Sequence, residues 1–118
     1  MFVKALKGKI HRATVTGVKV DYPGSVAVDP ALLEAAGIAP YEEVLLANVT
    51  NGERVETYVI PAETGSGDLI VLGAAGRLFS VNDIVIIMNF AYYTPEEVKN
   101  IKPKVIVANK NNKIKDGL

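Results

Sequence analysis

Gly24-Ser25, preceded by Asp21-Tyr22-Pro23, is the step in this 118-residue chain whose residue types allow the most distinctive chemistry. A serine hydroxyl can add to the carbonyl carbon of the residue before it and turn the peptide bond into an ester. Elimination across the serine Cα–Cβ bond then releases the upstream piece and leaves dehydroalanine. Loss of the nitrogen as ammonia leaves a pyruvoyl group, a ketone able to form a Schiff base with an amine. Glycine upstream helps, because it has no Cβ to obstruct attack and tolerates backbone conformations closed to other residues. The dipeptide alone decides nothing, since Gly65-Ser66 occurs in the same chain. A hydrolase using Ser25 and His11 fits poorly, because no nucleophile elbow surrounds Ser25.

The elements that must position this step read mostly as strands. Ile10 to Val20 carries β-branched residues in partial alternation, and Val26-Ala27-Val28 resumes a strand after Ser25. Asp29-Pro30 opens a helix, with Leu32, Leu33 and Ala36 as its apolar face and Gly37 as its stop. Glu43 to Thr50 and Arg54 to Ile60 flank Asn51-Gly52, a hairpin signal. Asp68 to Leu72 and Asp83 to Phe90 read as buried strands, and Thr94-Pro95-Glu96-Glu97 has the form of a capping box. Lys104 to Ala108 is expected as the last core strand, followed by a polar tail from Asn109. No linker, repeat or low-complexity segment divides the chain, so one domain over residues 1–118 is expected. Many short strands with two small helices suggest a compact β-barrel; the order of the strands does not follow from the pattern.

Composition narrows the chemistry further. Nearly half the residues are apolar, and 13 Lys plus Arg balance 13 Asp plus Glu, so a folded protein without a large basic surface for nucleic acid is expected. The absence of cysteine excludes disulfides, thiolate metal sites and a cysteine nucleophile, and the lone His11 excludes a multi-histidine metal site within one subunit. Ile84 to Met88 is too short to cross a bilayer. Met1 to Lys7 lacks the apolar core of a secretory signal, so a cytoplasmic protein without membrane partners is expected.

Six segments, in order, resemble the aspartate 1-decarboxylase family, the pyruvoyl enzymes that make β-alanine for pantothenate synthesis. They are Lys9 to Thr16, Asp21 to Ser25, Leu32 to Ile38, Asn51 to Tyr58, Gly65-Ser66-Gly67 and Gly73 to Arg77. The resemblance implies a mainly β fold, a double-psi β-barrel with two or three short helices. It also implies a homotetramer with active sites between subunits, and self-cleavage into residues 1–24 and 25–118. The cofactor implied is a covalently bound pyruvoyl group derived from Ser25, and the substrate is L-aspartate. Whether maturation is spontaneous or uses an accessory protein stays open. Two departures stand out: Leu72 replaces the family's usual Asn, and Pro23 is less typical before the glycine.

By the same resemblance, Gly24, Ser25 and Thr57 serve processing, with Thr57 as the donor to the oxyanion. Tyr58 is the proton donor, and a phenol, being a weak acid in water, must then be held close to the carbanion. Lys9 and Arg54 are the candidate cations for the two substrate carboxylates. Arg54 is assigned to the retained β-carboxylate, since gripping the departing one would stabilise the ground state. Gly73, Ala74 and Ala75 offer unobstructed backbone amides to substrate, a role compatible with a tight turn. His11 and Tyr22 are candidates for the pocket or for plain packing, and Leu72 neighbours the cleavage site. A competing reading takes Ser25 to Ile38 as the strand–helix–strand element of a DNA-binding regulator built on swapped hairpins. Balanced charge and the Arg54, Thr57, Tyr58 and Gly73 to Ala75 matches weigh against it.

Overall fold

The computed structural model describes residues 1–115; the end of the expected polar tail, 116–118, lies outside the described residues. The chain forms β1 (Val3–Thr14), β2 (Gly17–Lys19), β3 (Ser25–Val28), α1 (Pro30–Ala35), β4 (Glu43–Asn48), β5 (Arg54–Pro61) and β6 (Leu69–Leu72). A 3-10 helix (Ala74–Leu78), β7 (Ile84–Tyr93), α2 (Pro95–Val98), β8 (Lys104–Ala108) and β9 (Ile114–Lys115) follow.

The strands join in the order β2-β6-β3-β5-β4-β7-β1-β8-β9. Most neighbours are antiparallel, but β2 with β6, β3 with β5 and β1 with β8 are parallel. The barrel closes through the chain itself, because β1 and β2 sit at different places in the sheet yet are consecutive. The expected strand from Ile10 to Val20 is therefore corrected: it begins earlier and changes partners at Val15-Thr16. Val15 donates its amide to the Asp83 carbonyl, while Thr16 donates to the Leu69 carbonyl, both at 2.9 Å. One strand thus hands its hydrogen bonds from the β7 side to the β6 side, a switch that alternation cannot reveal.

The interior is filled by Ile10, Val26, Val28, Leu46, Val59, Leu69, Val71 and Ile87, all fully buried. Each such aliphatic side chain contributes about 1.5–3 kcal/mol relative to exposure. The local signals behave as expected. The Asp29 carboxylate accepts the Ala31 amide at 3.0 Å, and Gly37 ends α1 at φ 68. There Gly37 donates to the Glu34 carbonyl and Ile38 to the Leu33 carbonyl, the two bonds of a Schellman closure. The hairpin at Asn51-Gly52 and the reciprocal capping box of Thr94 and Glu97 both form. The polar stretch after Ala108 is not all tail. Asn109 accepts the Asn111 and Lys113 amides on its side chain and turns the chain into β9.

Candidate active site

Ser25 is the first residue of β3 and lies between two partners. On the antiparallel side it pairs with Leu72 of β6. On the parallel side Val26 pairs with Val59 of β5. Extending that register back by one and two residues puts Ser25 level with Tyr58 and Gly24 level with Thr57, one strand spacing of about 4.8 Å away. Tyr58 in turn pairs with Glu43, and Leu72 with Lys19. A single cross-strand row therefore reads Lys19, Leu72, Ser25, Tyr58, Glu43.

The face of this row follows from the pleat. Each member adjoins a residue packed in the core: Val18, Val71, Val26, Val59 and Val44. Since successive side chains alternate, the row points out of the barrel. Ser25 is nonetheless only 4 % exposed and Leu72 5 %, whereas Tyr58 is 40 % exposed. Thr57, one residue from Tyr58, is half-buried on the opposite, inner phase and makes no hydrogen bond to Gly24 among the described residues.

Gly73 presses directly on Gly24. Its φ of 83° lies in the region that favours glycine. A Cβ there would stand 2.6 Å from Gly24 Cα, 2.9 Å from Gly24 N and 3.0 Å from the Tyr22 carbonyl oxygen. The Gly73 amide donates to the Lys19 carbonyl at 2.8 Å, so the segment from Lys19 to Gly24 wraps around this one residue. Ala74 and Ala75 continue into the 3-10 helix, Ala74 exposed and Ala75 packed on the core. Tyr22 is exposed, with Lys19 Nζ 5.7 Å from its ring centroid.

The other candidates lie elsewhere in the same chain. Lys9 of β1 pairs with Met88, which pairs with Leu45, which pairs with Glu56. That places Lys9 three strand spacings, roughly 14 Å, from β5. Arg54 starts β5 on the same face as Tyr58 but four residues away, about 13 Å along the strand. His11 follows Lys9 at a β-bulge between Ile10 and Ala13, where Arg12 takes φ 61. Its Nδ1 is buried without a hydrogen-bond partner. Burial first, then the charges of Lys9 and Arg12, hold the imidazole pKa below its ordinary value, so the ring is neutral at pH 7. The structure thus brings together Tyr22, Gly24, Ser25, Thr57, Tyr58, Leu72 and Gly73 to Ala75, and leaves Lys9, His11 and Arg54 apart.

Three neighbours of the row escaped the sequence reading: Lys19, Glu43 and Tyr41. Lys19 and Glu43 join it only through strand register. Tyr41 holds φ 73, donates its amide to the Val59 carbonyl at 2.8 Å and packs its ring 6.4 Å from that of Tyr58. A groove of about 510 Å³, lined in part by Lys4, Glu43, Leu45, Glu56, Phe90 and Tyr92, adjoins the Glu43 end of the row and does not reach Ser25. No helix among the described residues is long and apolar enough to cross a membrane.

The barrel is similar to the rationally designed protein mkDPBB_sym_86, a double-psi β-barrel, with a TM-score of 0.50 at 20 % identity, covering 67 % of this chain and 92 % of that one. The chain is 51 % identical over 114 residues to an aspartate 1-decarboxylase of Caldicellulosiruptor saccharolyticus, covering 97 % of this chain and 89 % of the relative. An aspartate 1-decarboxylase of Lactiplantibacillus plantarum is 49 % identical over 114 residues, covering 97 % and 88 %. The sequence model of the family described as aspartate decarboxylase matches residues 1–115, including the Ser25 to Ile38 stretch on which the regulator reading rested. By that match over nearly its whole length, the chain belongs to the aspartate decarboxylase family.

Proposed function

We propose that this chain decarboxylates L-aspartate to β-alanine and CO2, feeding pantothenate and coenzyme A synthesis, with a pyruvoyl group made from its own Ser25. Family membership over nearly the whole chain supports the reaction. The observation that carries the site is the fit of Gly24 into the space that a Cβ on Gly73 would fill. A Cβ at position 73 would collide with that backbone, whereas one at Gly24 would meet only the Leu72 carbonyl oxygen at 3.9 Å, so Gly73 is the residue that sets the approach.

In processing, Ser25 Oγ adds to the Gly24 carbonyl carbon and the C–N bond breaks, giving an ester and a free amine. Thr57, level with Gly24, donates to the oxyanion of that addition. Elimination, followed by addition of water to the nitrogen-bearing carbon of the dehydroalanine with loss of ammonia, leaves residues 1–24 and 25–118 as separate chains. The resulting ketone supplies an electrophile for the substrate amine and a sink for the electron pair left by departing CO2. Tyr58, beside position 25, holds the proton destined for the substrate Cα, with the Tyr41 ring packed against it. Gly73, Ala74 and Ala75 contribute backbone donors to substrate.

Lys9 and Arg54 are assigned to the substrate carboxylates, Arg54 to the retained one. Their separation from Ser25 within one chain supports a homotetramer in which a neighbouring copy presents both cations. The outer face between them carries Leu45, Met88 and Ile86, half-buried in the isolated chain and suited to cover by a second copy. A cytoplasmic location accompanies this reading.

The test is the mass of the purified protein expressed without any partner. Two fragments meeting after Gly24, the second with a borohydride-reducible ketone, together with β-alanine formation from aspartate, are expected. Fully active protein with an intact serine at position 25 would overturn the proposal. Cleavage only after addition of a cell extract would assign maturation to an accessory protein.

A further inference from the structure

We propose that Lys19 binds the new carboxylate that cleavage creates at Gly24 and so anchors the freed end of the small chain beside the site. This deepens the function proposed above and rests on it. In the elimination the Ser25 Cα–H proton passes to water and its electron pair becomes the Cα–Cβ double bond. The Cβ–O bond breaks with its pair on oxygen, so Gly24 leaves with both oxygens as a carboxylate. A backbone that was neutral thereby gains a full negative charge on an exposed residue next to buried Ser25, where a nearby cation would hold it.

The geometry points to one cation. The Lys19 carbonyl accepts the Gly73 amide at 2.8 Å, and Gly73 packs against Gly24 at a distance that leaves no room for a Cβ. Lys19 and Gly24 therefore flank the same residue from two sides. The Lys19 side chain lies in the outward row with Leu72 and Ser25, two strand spacings or roughly 10 Å from Ser25 at Cα. Its ammonium already turns toward the cleavage segment, 5.7 Å from the Tyr22 ring centroid. The long flexible stem can carry a point charge the rest of the way. Among the described residues Lys19 has no carboxylate partner, since the ion pairs formed are Lys7 with Glu42 and Lys99 with Glu96. Asp21, exposed in the same segment, would repel an uncompensated Gly24 carboxylate, so the need for a cation is local. Buried Leu72, between Lys19 and Ser25, keeps water from that side of the pair.

The experiment labels the protein with glycine carrying carbon-13 at the carbonyl. In processed protein Gly24 is the one glycine whose carbonyl carbon titrates as an acid, which gives a direct signal independent of turnover. The expected result is a Gly24 carboxyl titrating below the ordinary α-carboxyl range, moving up in Lys19→Gln and staying low in Lys19→Arg. Carboxypeptidase trimming of the 1–24 fragment should be faster in Lys19→Gln by roughly two- to fivefold, the opening expected from losing an exposed ion pair. Identical Gly24 titration in wild type and Lys19→Gln would overturn the inference while leaving the cleaved enzyme intact. A wild-type sample with no titrating glycine and a single uncut chain would instead overturn the proposed function, and this inference with it.

Discussion

The chain contains the same dipeptide twice, and the two copies sit in opposite circumstances. Gly24-Ser25 enters a strand, with the serine buried and the glycine filling the space left by Gly73. Gly65-Ser66 lies in an exposed turn, and nothing stands within 4 Å of where a Cβ on Gly65 would be. The Ser66 hydroxyl accepts the Asp68 amide at 3.1 Å, which directs it downstream and away from the Gly65 carbonyl. That carbonyl does receive a donor, Lys113 Nζ at 2.8 Å. A donor on the carbonyl is therefore not what separates the two steps. The burial of the serine and the close approach of Gly73 to the upstream glycine are.

The sharpest way to break this contrast is to delete each hydroxyl. Ser25→Ala is expected to leave one uncut chain with decarboxylation at background, and Ser66→Ala to leave cleavage unchanged, both read by intact mass and β-alanine formation. Equal effects would remove the distinction. A second pair of variants tests the crowding. Gly73→Ala adds a Cβ against rigid backbone at positive φ, with an expected loss of about 2–4 kcal/mol and slowed cleavage. Gly65→Ala meets open space and costs only its backbone strain, about 1 kcal/mol. Urea melts with cleavage time courses check both, and similar losses for the two would show that the cradle contributes nothing.

This asymmetry marks how far the sequence could be read. Caps, the Asn51-Gly52 hairpin and the helix end at Gly37 are local, and each is legible because three to six neighbouring residues decide it. Ser25, Thr57 and Tyr58 were legible through resemblance and Gly73 through the same series, but their assembly was not, because it depends on parallel pairing between β3 and β5. The handover at Val15-Thr16 is invisible for the same reason: alternation reports which face a residue takes, not which strand it bonds. Lys19 carries no local signal at all. It enters the row only because β2 runs parallel to β6.

Asp29 tests whether the two regions are one unit. It lies four residues beyond Ser25, and its buried carboxylate accepts the amides of Ala31, Gly65 and Gly67 at 3.0, 3.1 and 2.9 Å. Burial alone would raise its pKa, but these three amides and the charge of Lys113 outweigh it and hold the carboxyl below its ordinary value. A lowered folded-state pKa means stability present above the unfolded value, about 3.9 for aspartate, and lost as pH falls through the folded one. Asp29→Asn is expected to cost about 1–3 kcal/mol near neutral pH. The gap to wild type should narrow below about pH 4, where wild type also protonates. Cleavage after Gly24 should stay near the wild-type rate, since the clamp grips the Gly65 turn and not the Gly73 cradle. Stability curves against pH check the first point and mass time courses the second; a slowdown matching Gly73→Ala would join the regions.

The smallest effect belongs to Leu72, the residue directly opposite Ser25. A buried leucine there excludes water from one side of the serine but can donate nothing to a developing oxyanion. Leu72→Asn restores a donor at that wall and is expected to shorten the cleavage half-time by roughly two- to fivefold, less than 1 kcal/mol of barrier. The same substitution replaces a buried apolar side chain with an amide, so stability should fall by about 1–2 kcal/mol. Opposite signs in cleavage and stability would identify Leu72 as a brake set by polarity. Slower cleavage with lower stability would mean that the leucine holds the serine in place by packing, and that burial rather than hydrogen bonding makes Gly24-Ser25 the reactive copy.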